Sequence, residues 1–306
     1  MLVNFLARIS RLKTGQIRAI ERNASRRYKT YEIPKRSGGT RTIHHPSREL
    51  KALQRLLTKL VFDKLPVHSC ASAYEKDSGI KQNATAHASF DYTTRVDFEN
   101  FFPSFSNQSV RLFLSGAVTS GQLTLESNDI AFIANIVSRY GYLTIGAPSS
   151  PKLTNRMMYA FDSTFNSYCN ERGLIYTRYA DDIFVSSSEP NKMNGLCQVI
   201  QGMCNDVAHL NITINAQKTL YLSRKNKRQI TGLIITTERN VSMGRSRKRE
   251  IKSLVHKALE GNLPIEELSR LTGLLSFASD VEPNFLVSLS KKYGEQEVKG
   301  LSNRHT

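Results

Sequence analysis

Two adjacent carboxylates, Asp181-Asp182, stand between Tyr176-Thr177-Arg178-Tyr179 and Ile183-Phe184-Val185, segments whose β-branched and aromatic residues favour strands. Like charges a few Å apart repel by roughly 4 kcal/mol at an effective dielectric of 20, so the pair calls for a compensating cation. A hard divalent ion with oxygen ligands fits that demand. A solvated Asp-Asp hairpin turn is the plainer reading of the dipeptide alone. Upstream lies a second acidic strand end, Arg95-Val96-Asp97-Phe98, followed by Glu99-Asn100-Phe101-Phe102-Pro103-Ser104. A third carboxylate on a neighbouring strand is what two-metal phosphoryl transfer needs: one ion lowers the pKa of an attacking hydroxyl and the other stabilises the leaving pyrophosphate. A Tyr-x-Asp-Asp string arises by chance in roughly one chain in tens. The two pieces together, in this order, are far more specific than either.

The charge balance narrows the partners. The 306 residues carry 43 Lys and Arg against 26 Asp and Glu, a net +17, which points to nucleic acid, with a solvated basic surface as the alternative. A hydrophobic fraction of 40% with 23% charged residues is ordinary globular usage and speaks against disorder. The apolar stretches are too short to span a bilayer, and no signal-peptide pattern opens the chain. Cys70, Cys169, Cys197 and Cys204 form no CxxC pair. A disulfide scaffold or zinc module is therefore not expected, and a reducing cytosol is the natural compartment.

Periodicity gives the organisation. Leu2, Leu6, Ile9 and Leu12 predict a first helix, and Leu50, Leu53, Leu57, Leu60 and Val61 another. Between them, Tyr31-Glu32-Ile33 and Thr42-Ile43 flank the basic, glycine-containing stretch 35–41 and predict a hairpin. Thr94 to Phe98 reads as a strand, Ser106 to Leu114 as a capped helix, and Lys152 to Tyr168 as one helix after the Gly146–Pro151 loop. Helices are further expected around Ile251–Leu259, Leu271–Phe277 and Phe285–Tyr293. The composition shift after Gly232 suggests a small helical lobe from about 236.

With these motifs in place, the sequence resembles the reverse transcriptases, and among them the retron enzymes of bacteria. Lys35 to Ile43 with Pro46 looks like the family's basic fingers hairpin, Asp97 to Phe105 like motif A, and Gly146 to Pro151 with Asn155 like motif B. Tyr179-Ala180-Asp181-Asp182 is similar to the catalytic YADD box. Asn83-Ala84-Thr85-Ala86-His87 matches the NAxxH signature, and Ile230-Thr231-Gly232 resembles the VTG triplet with Ile in place of Val. One departure stands out: Thr144-Ile145 replaces the usual Pro-Gln before Gly146.

The resemblance implies roles residue by residue. Asp97 and Asp181 would be the main ligands of two Mg²⁺ ions, Asp182 a weaker third, and Phe98 and Glu99 would offer backbone groups. Phe102 falls where the family places a steric gate against the ribose 2′-hydroxyl; it equally fits a core aromatic in the run Phe98, Phe101, Phe102, Phe105. Lys35 and Arg41 would meet the incoming triphosphate, with an exposed basic turn as the alternative. Ile145 and Gly146 would border the nucleotide. Lys218 sits where the family carries a lysine that protonates departing pyrophosphate; a solvated lysine is the alternative. Asn83 and His87 are assigned to structure or RNA contact, and Thr231 and Gly232 to RNA contact. Arg245, Arg247, Lys248 and Arg249 open a helix whose dipole they oppose, which an RNA phosphate track would explain.

The expected architecture is an α+β right-hand polymerase: fingers over 1–90, palm over 91–235 with about 106–145 returning to the fingers, and a helical thumb over 236–306. The implied reaction is RNA-templated DNA synthesis from dNTPs. The implied partners are a structured noncoding RNA with its cDNA and an effector protein encoded nearby, with no membrane and a cytoplasmic location. A non-retron short bacterial reverse transcriptase and an inactive RNA-binding scaffold remain open at this stage.

Overall fold

The computed structural model describes residues 1–35 and 38–302; Arg36 and Ser37 of the expected hairpin loop lie outside the described residues. In chain order the helices are α1 (Leu2–Ser10), α2 (Thr14–Arg22), α3 (Arg48–Leu60), α4 (Ile80–Ala86), α5 (Asn107–Thr119), α6 (Ser127–Val137), α7 (Ser149–Met157), α8 (Tyr159–Glu171), α9 (Leu196–Asn205), α10 (Arg245–Leu259), α11 (Ile265–Val281), α12 (Pro283–Tyr293) and α13 (Glu295–Ser302). The strands are β1 (Tyr28–Pro34), β2 (Thr40–Pro46), β3 (Tyr92–Phe98), β4 (Ile175–Tyr179), β5 (Asp182–Ser187), β6 (Ile214–Ser223), β7 (Arg228–Ile230), β8 (Leu233–Ile235) and β9 (Val241–Ser242). The chain divides into two compact units, Met1–Asp77 with Thr94–Tyr221, and Ser78–Thr93 with Leu222–Thr306.

The first unit is built on a four-stranded sheet of order β4-β5-β3-β6. Val96, Phe98, Ile183, Phe184 and Val185 are buried, as expected of strands covered by helices. Helix α8 packs on β4 and on α9, and α3 packs on α6 and α7. The rings of Phe161, Phe165 and Tyr176 fill the space beneath, with Phe165 and Tyr176 edge to face at 4.7 Å. The single helix expected over Lys152–Tyr168 is instead two, α7 and α8, meeting at Met158. The expected cap of α5 is present: Ser106 Oγ accepts from the Ser109 amide at 3.0 Å. β1 and β2 form a separate antiparallel hairpin from Tyr28↔Pro46 to Pro34↔Thr40.

The second unit combines α4, the three-stranded sheet β7-β8-β9 and helices α10 to α13. Ile251, Val255, Leu271, Leu275, Phe285 and Leu289 form its helical core. Residues 78–93, which the sequence reading places in the fingers and at the start of the palm, are part of this unit, and its C-terminal stretch begins at Leu222 where the reading has 236.

Candidate active site

The YADD box is a two-residue hairpin turn. Tyr179 pairs with Asp182, leaving Ala180 and Asp181 as the loop, and Ala180 takes φ +57°. That conformation at the first loop position is the pattern of a type II′ turn, which favours glycine. An alanine held there is strained, and such strain persists only where surroundings over-determine it. The fully buried Arg178 supplies that restraint. Its Nη1 donates to the Ala180 carbonyl at 3.0 Å and to Asn155 Oδ1 at 3.2 Å, while Nε and Nη2 grip Asp162 at 2.9 and 2.6 Å. Tyr176 donates to the same Asp162 at 2.7 Å. Asn155 in turn donates to the Ala73 carbonyl at 2.8 Å. The motif B asparagine is thus a brace beneath the turn.

Across the sheet, the Phe98 amide donates to the Asp181 carbonyl at 3.4 Å, which seats the turn against the end of β3. Asp97 is buried and accepts from Lys218 Nζ of β6 at 2.8 Å. Asp182 accepts from Arg95 Nε and Nη2, each at 2.8 Å. Burial pushes the Asp181 carboxyl up, with the Asp97 charge adding to it, while its own backbone amide, Arg41 and Arg95 pull it back. Burial likewise raises Asp182 to about 6 against the pull of Arg95.

These carboxylates fit a hard cation. Burial raises the cost of ionising Asp181 and Asp182, and neighbouring carboxylate charge adds to it, Asp97 on Asp181 and both Asp181 and Asp97 on Asp182. A divalent ion relieves such a cost, and every available donor is oxygen. Lys218 and Arg95 already place positive charge on two of the three. Among the described residues no group of three or more His, Cys, Asp or Glu is gathered at metal-holding distance; Asp182 starts β5 and is paired to Arg95.

A pocket of about 410 Å³ gathers most of the expected nucleotide-binding residues. Lys35, Arg41, Phe98, Phe102, Ile145, Asp181 and Lys218 all line it. Glu99 does not; it is exposed, and its amide donates to the Thr213 carbonyl at 2.8 Å. Gly146 lies behind the wall. It takes φ +103°, and a Cβ there would sit 2.7 Å from the His44 carbonyl oxygen, so only glycine lets the loop approach β2 this closely. The Ile145 carbonyl accepts from the His44 amide at 2.9 Å. Phe102 is partly exposed into the pocket, whereas Phe98, Phe101 and Phe105 are buried.

Two further lining residues, His44 and Tyr74, lie outside every motif of the sequence, and Asn100 and Thr144 line the pocket with no role expected of them. Tyr74 stands at φ +65°; although the residue is 44% exposed, partial burial pushes its hydroxyl up to about 12, with Asp181 and Tyr179 adding to the rise.

The remaining expected residues lie in the second unit. Asn83 and His87 are buried, so neither side chain reaches RNA without opening the packing. Arg228 donates to the Ala88 carbonyl at 3.2 Å and also to that of Phe90, fixing the segment after α4. Thr231 and Gly232 form the turn between β7 and β8, at φ +46° and +83°, and Thr231 Oγ1 donates to the Ile80 carbonyl at 3.0 Å. The NAxxH and ITG motifs are therefore two halves of one packed module. Of the α10 cations, Arg245 and Arg249 are exposed. Arg247 lies 4.9 Å over the Phe277 ring and Lys248 pairs with Glu282.

A helix-covered sheet that carries acids on a turn and on the adjoining strand end, facing a basic hairpin across a small pocket, defines a right-hand polymerase. The profile described as Reverse transcriptase (RNA-dependent DNA polymerase) matches residues 33–235. The chain is 33% identical to the retron Ec83 reverse transcriptase of Escherichia coli over 90% of this chain and 89% of that one. It is 30% identical to the retron Ec86 reverse transcriptase of Escherichia coli, covering 96% and 91%. The apo telomerase structure from Candida tropicalis shares the fold, with a TM-score of 0.51 at 12% identity, over 90% of this chain and 60% of that chain. The chain belongs to the reverse transcriptase family of RNA-directed DNA polymerases, and within it to the retron type. The two alternatives left open above give way to this membership. Among the described residues no helix is long and apolar enough to cross a membrane.

Proposed function

We propose that this enzyme copies part of a partner structured RNA into single-stranded DNA, starting from an RNA 2′-hydroxyl and leaving a branched RNA–DNA hybrid. The observation that carries the reading is the pocket that Lys35 and Arg41 line together with Asp181, Phe102 and Ile145. Two cations and a carboxylate in one pocket are what a dNTP–Mg²⁺ complex requires of its site. Asp97 and Asp181 would hold the ions, with Asp182 and the Phe98 backbone beside them. When bound, Mg²⁺ supplies charge neutralisation at the α-phosphate and activation of the attacking hydroxyl.

The chain's own groups do the rest. Arg41 and Lys35 orient the triphosphate, and Phe102 excludes the 2′-hydroxyl by contact. Lys218, which donates to Asp97 at 2.8 Å and lines the pocket, would be the group that hands a proton to pyrophosphate. The retron setting supports a cytoplasmic role in phage defence with an effector protein encoded nearby.

Co-expression with the DNA just upstream should yield a small single-stranded DNA. Asp181→Asn, which removes several kcal/mol of transition-state stabilisation, should abolish it. RNA affinity should change by no more than about threefold, because the phosphate contacts are elsewhere. DNA synthesis retained by purified Asp181→Asn would overturn this reading.

A further inference from the structure

The first unit carries a second basic surface that the catalytic pocket does not use. A groove of about 780 Å³ at the base of the β1–β2 hairpin is lined by Arg26, Arg27, Lys29, Arg48, Lys51 and Arg55, with no acidic residue in its wall. Glu49, 3.6 Å from Arg27, offsets one charge of the six. Such a concentration of cations costs self-repulsion unless an anion occupies it.

Beside the groove stands an unusual turn. Arg139 and Tyr142 exchange both backbone hydrogen bonds, at 2.8 and 3.2 Å, with Tyr140 at φ +47° and Gly141 at φ +87° between them. This is a type I′ geometry, for which Asn-Gly is the favoured pair. A bulky aromatic in the left-handed region is an outlier, and here it leaves Tyr140 62% and Tyr142 53% exposed. The turn is anchored: the Tyr140 amide donates to Ser25 Oγ at 2.9 Å. Arg139 lies 4.7 Å from the Tyr140 ring and 5.9 Å from that of Tyr28, and Tyr28 itself lines the groove. Groove and turn are therefore continuous. Both also hold an unused donor, since Arg27 Nε and Arg139 Nε are buried without a hydrogen-bond partner among the described residues, and such groups in native structures call for an explanation.

We propose that this surface is a track for single-stranded RNA, with Tyr140 and Tyr142 as stacking platforms for unpaired bases and the groove cations as phosphate ligands. Exposed aromatics beside a positive groove are the general solution for binding single strands, because every base has a face to stack. The track begins beside the near edge of the nucleotide pocket, where His44 pairs with Thr30 two residues from Tyr28, and about a hairpin length from its triphosphate end at Arg41. Arg41, which lines that pocket, pairs with Ile33, and five residues along β1 lies Tyr28. At about 3.4 Å per residue the separation is about 17 Å, close to five stacked nucleotides. The RNA could be template on its way to the pocket or an unpaired loop of the partner RNA. The proposal rests on the polymerase reading for its ligand, and its test is a binding measurement.

Tyr140→Asn keeps the turn, since Asn-Gly suits type I′, and removes the ring. Three labelled probes are titrated: an RNA–DNA hybrid with a one-nucleotide 5′ RNA overhang, the same hybrid with an overhang of about ten nucleotides to cover the span above, and an RNA stem–loop. Tyr140→Asn should melt no lower than wild type and bind the one-nucleotide probe normally. It should bind the long overhang or the stem–loop roughly 5- to 100-fold more weakly, the range expected for one lost stacked base. Loss on the overhang alone assigns the track to template, and loss on the stem–loop alone assigns it to the partner RNA. Arg26→Gln with Lys51→Gln should lower the log–log salt slope for the same probe by about 1.4. Wild-type affinity of Tyr140→Asn for all three probes would overturn the proposal. Single-nucleotide incorporation on the short-overhang hybrid reports the polymerase site independently.

Discussion

Phe98, Phe101 and Phe102 all line the nucleotide pocket, and of these three rings Phe102 alone is partly exposed. Its neighbours Phe101 and Phe105 are buried and meet each other edge to face at 5.2 Å, so the core does not depend on Phe102. Truncating it should therefore leave the fold intact and create space beside the sugar. Because the selection is a clash, Phe102→Ala should lower the ratio of kcat/KM for dGTP over GTP, by on the order of tenfold or more for the volume removed. Steady-state kinetics with the two nucleotides measure it; an unchanged ratio would place the gate elsewhere. At this scale the sequence was informative where chemistry is local. Asp97, Asp181 and Lys218 announce themselves through short motifs, and all three line or adjoin the pocket. Tyr74 and His44 do not, because only tertiary packing brings them there, and neither belongs to a motif with chemistry of its own. Arg178 was similarly unreadable. It sits inside a strand pattern as one more basic residue, yet it is fully buried against Asp162, where removing one partner costs about 3–5 kcal/mol.

Elements show the same division. The hairpin β1–β2, the β4–β5 ribbon and α3 follow their periodicities, while α4 carries too few apolar residues at helical spacing to be seen without its partners. Its meaning lies in what covers it. His87, at its C-terminal end, is buried, and burial, with Arg228 adding, lowers its pKa to about 3. The folded protein thus keeps His87 neutral through mildly acid pH, while the unfolded chain binds a proton from about 6.5 downward. Between those two values the unfolded state holds more protons, so stability falls as pH falls. The loss is absent above about 6.5 and grows by about 1.4 kcal/mol for each pH unit below it. On going from pH 7.5 to 5.5, wild type should therefore lose about 1.4 kcal/mol more than His87→Gln, whose side chain does not titrate. Denaturant titrations of both proteins at the two pH values measure the difference. Equal losses would mean that His87 is already charged in the fold.

For the whole molecule, the excess of 17 positive charges pointed to nucleic acid as a partner, but could not say which cations face it. The first turn of α10 shows why. Its four basic residues are equivalent in sequence, yet the fold uses two of them internally. Arg247 rests on Phe277 and Lys248 pairs with Glu282, contacts that also hold α10 to α11 and to the residue preceding α12. Arg245 and Arg249 are exposed and have no partner among the described residues. If the second unit binds RNA phosphates, the two pairs should separate cleanly. Replacing Arg245 and Arg249 with Gln should lower the log–log salt slope of RNA binding by about 1.4 to 1.8, two contacts at about 0.7 to 0.9 each, without changing Tm. Replacing Arg247 and Lys248 should instead lower Tm, since it removes a cation–π contact and a half-buried ion pair, each contributing on the order of 1 kcal/mol. Fluorescence anisotropy across a salt series and thermal melts of the two double variants give both readouts. A slope unchanged in the Arg245/Arg249 variant would mean that this face of α10 meets only solvent, and the RNA track of the second unit would have to use other cations of the groove that Arg245 lines, with the exposed Arg224 and Lys227 as the residues to mutate next.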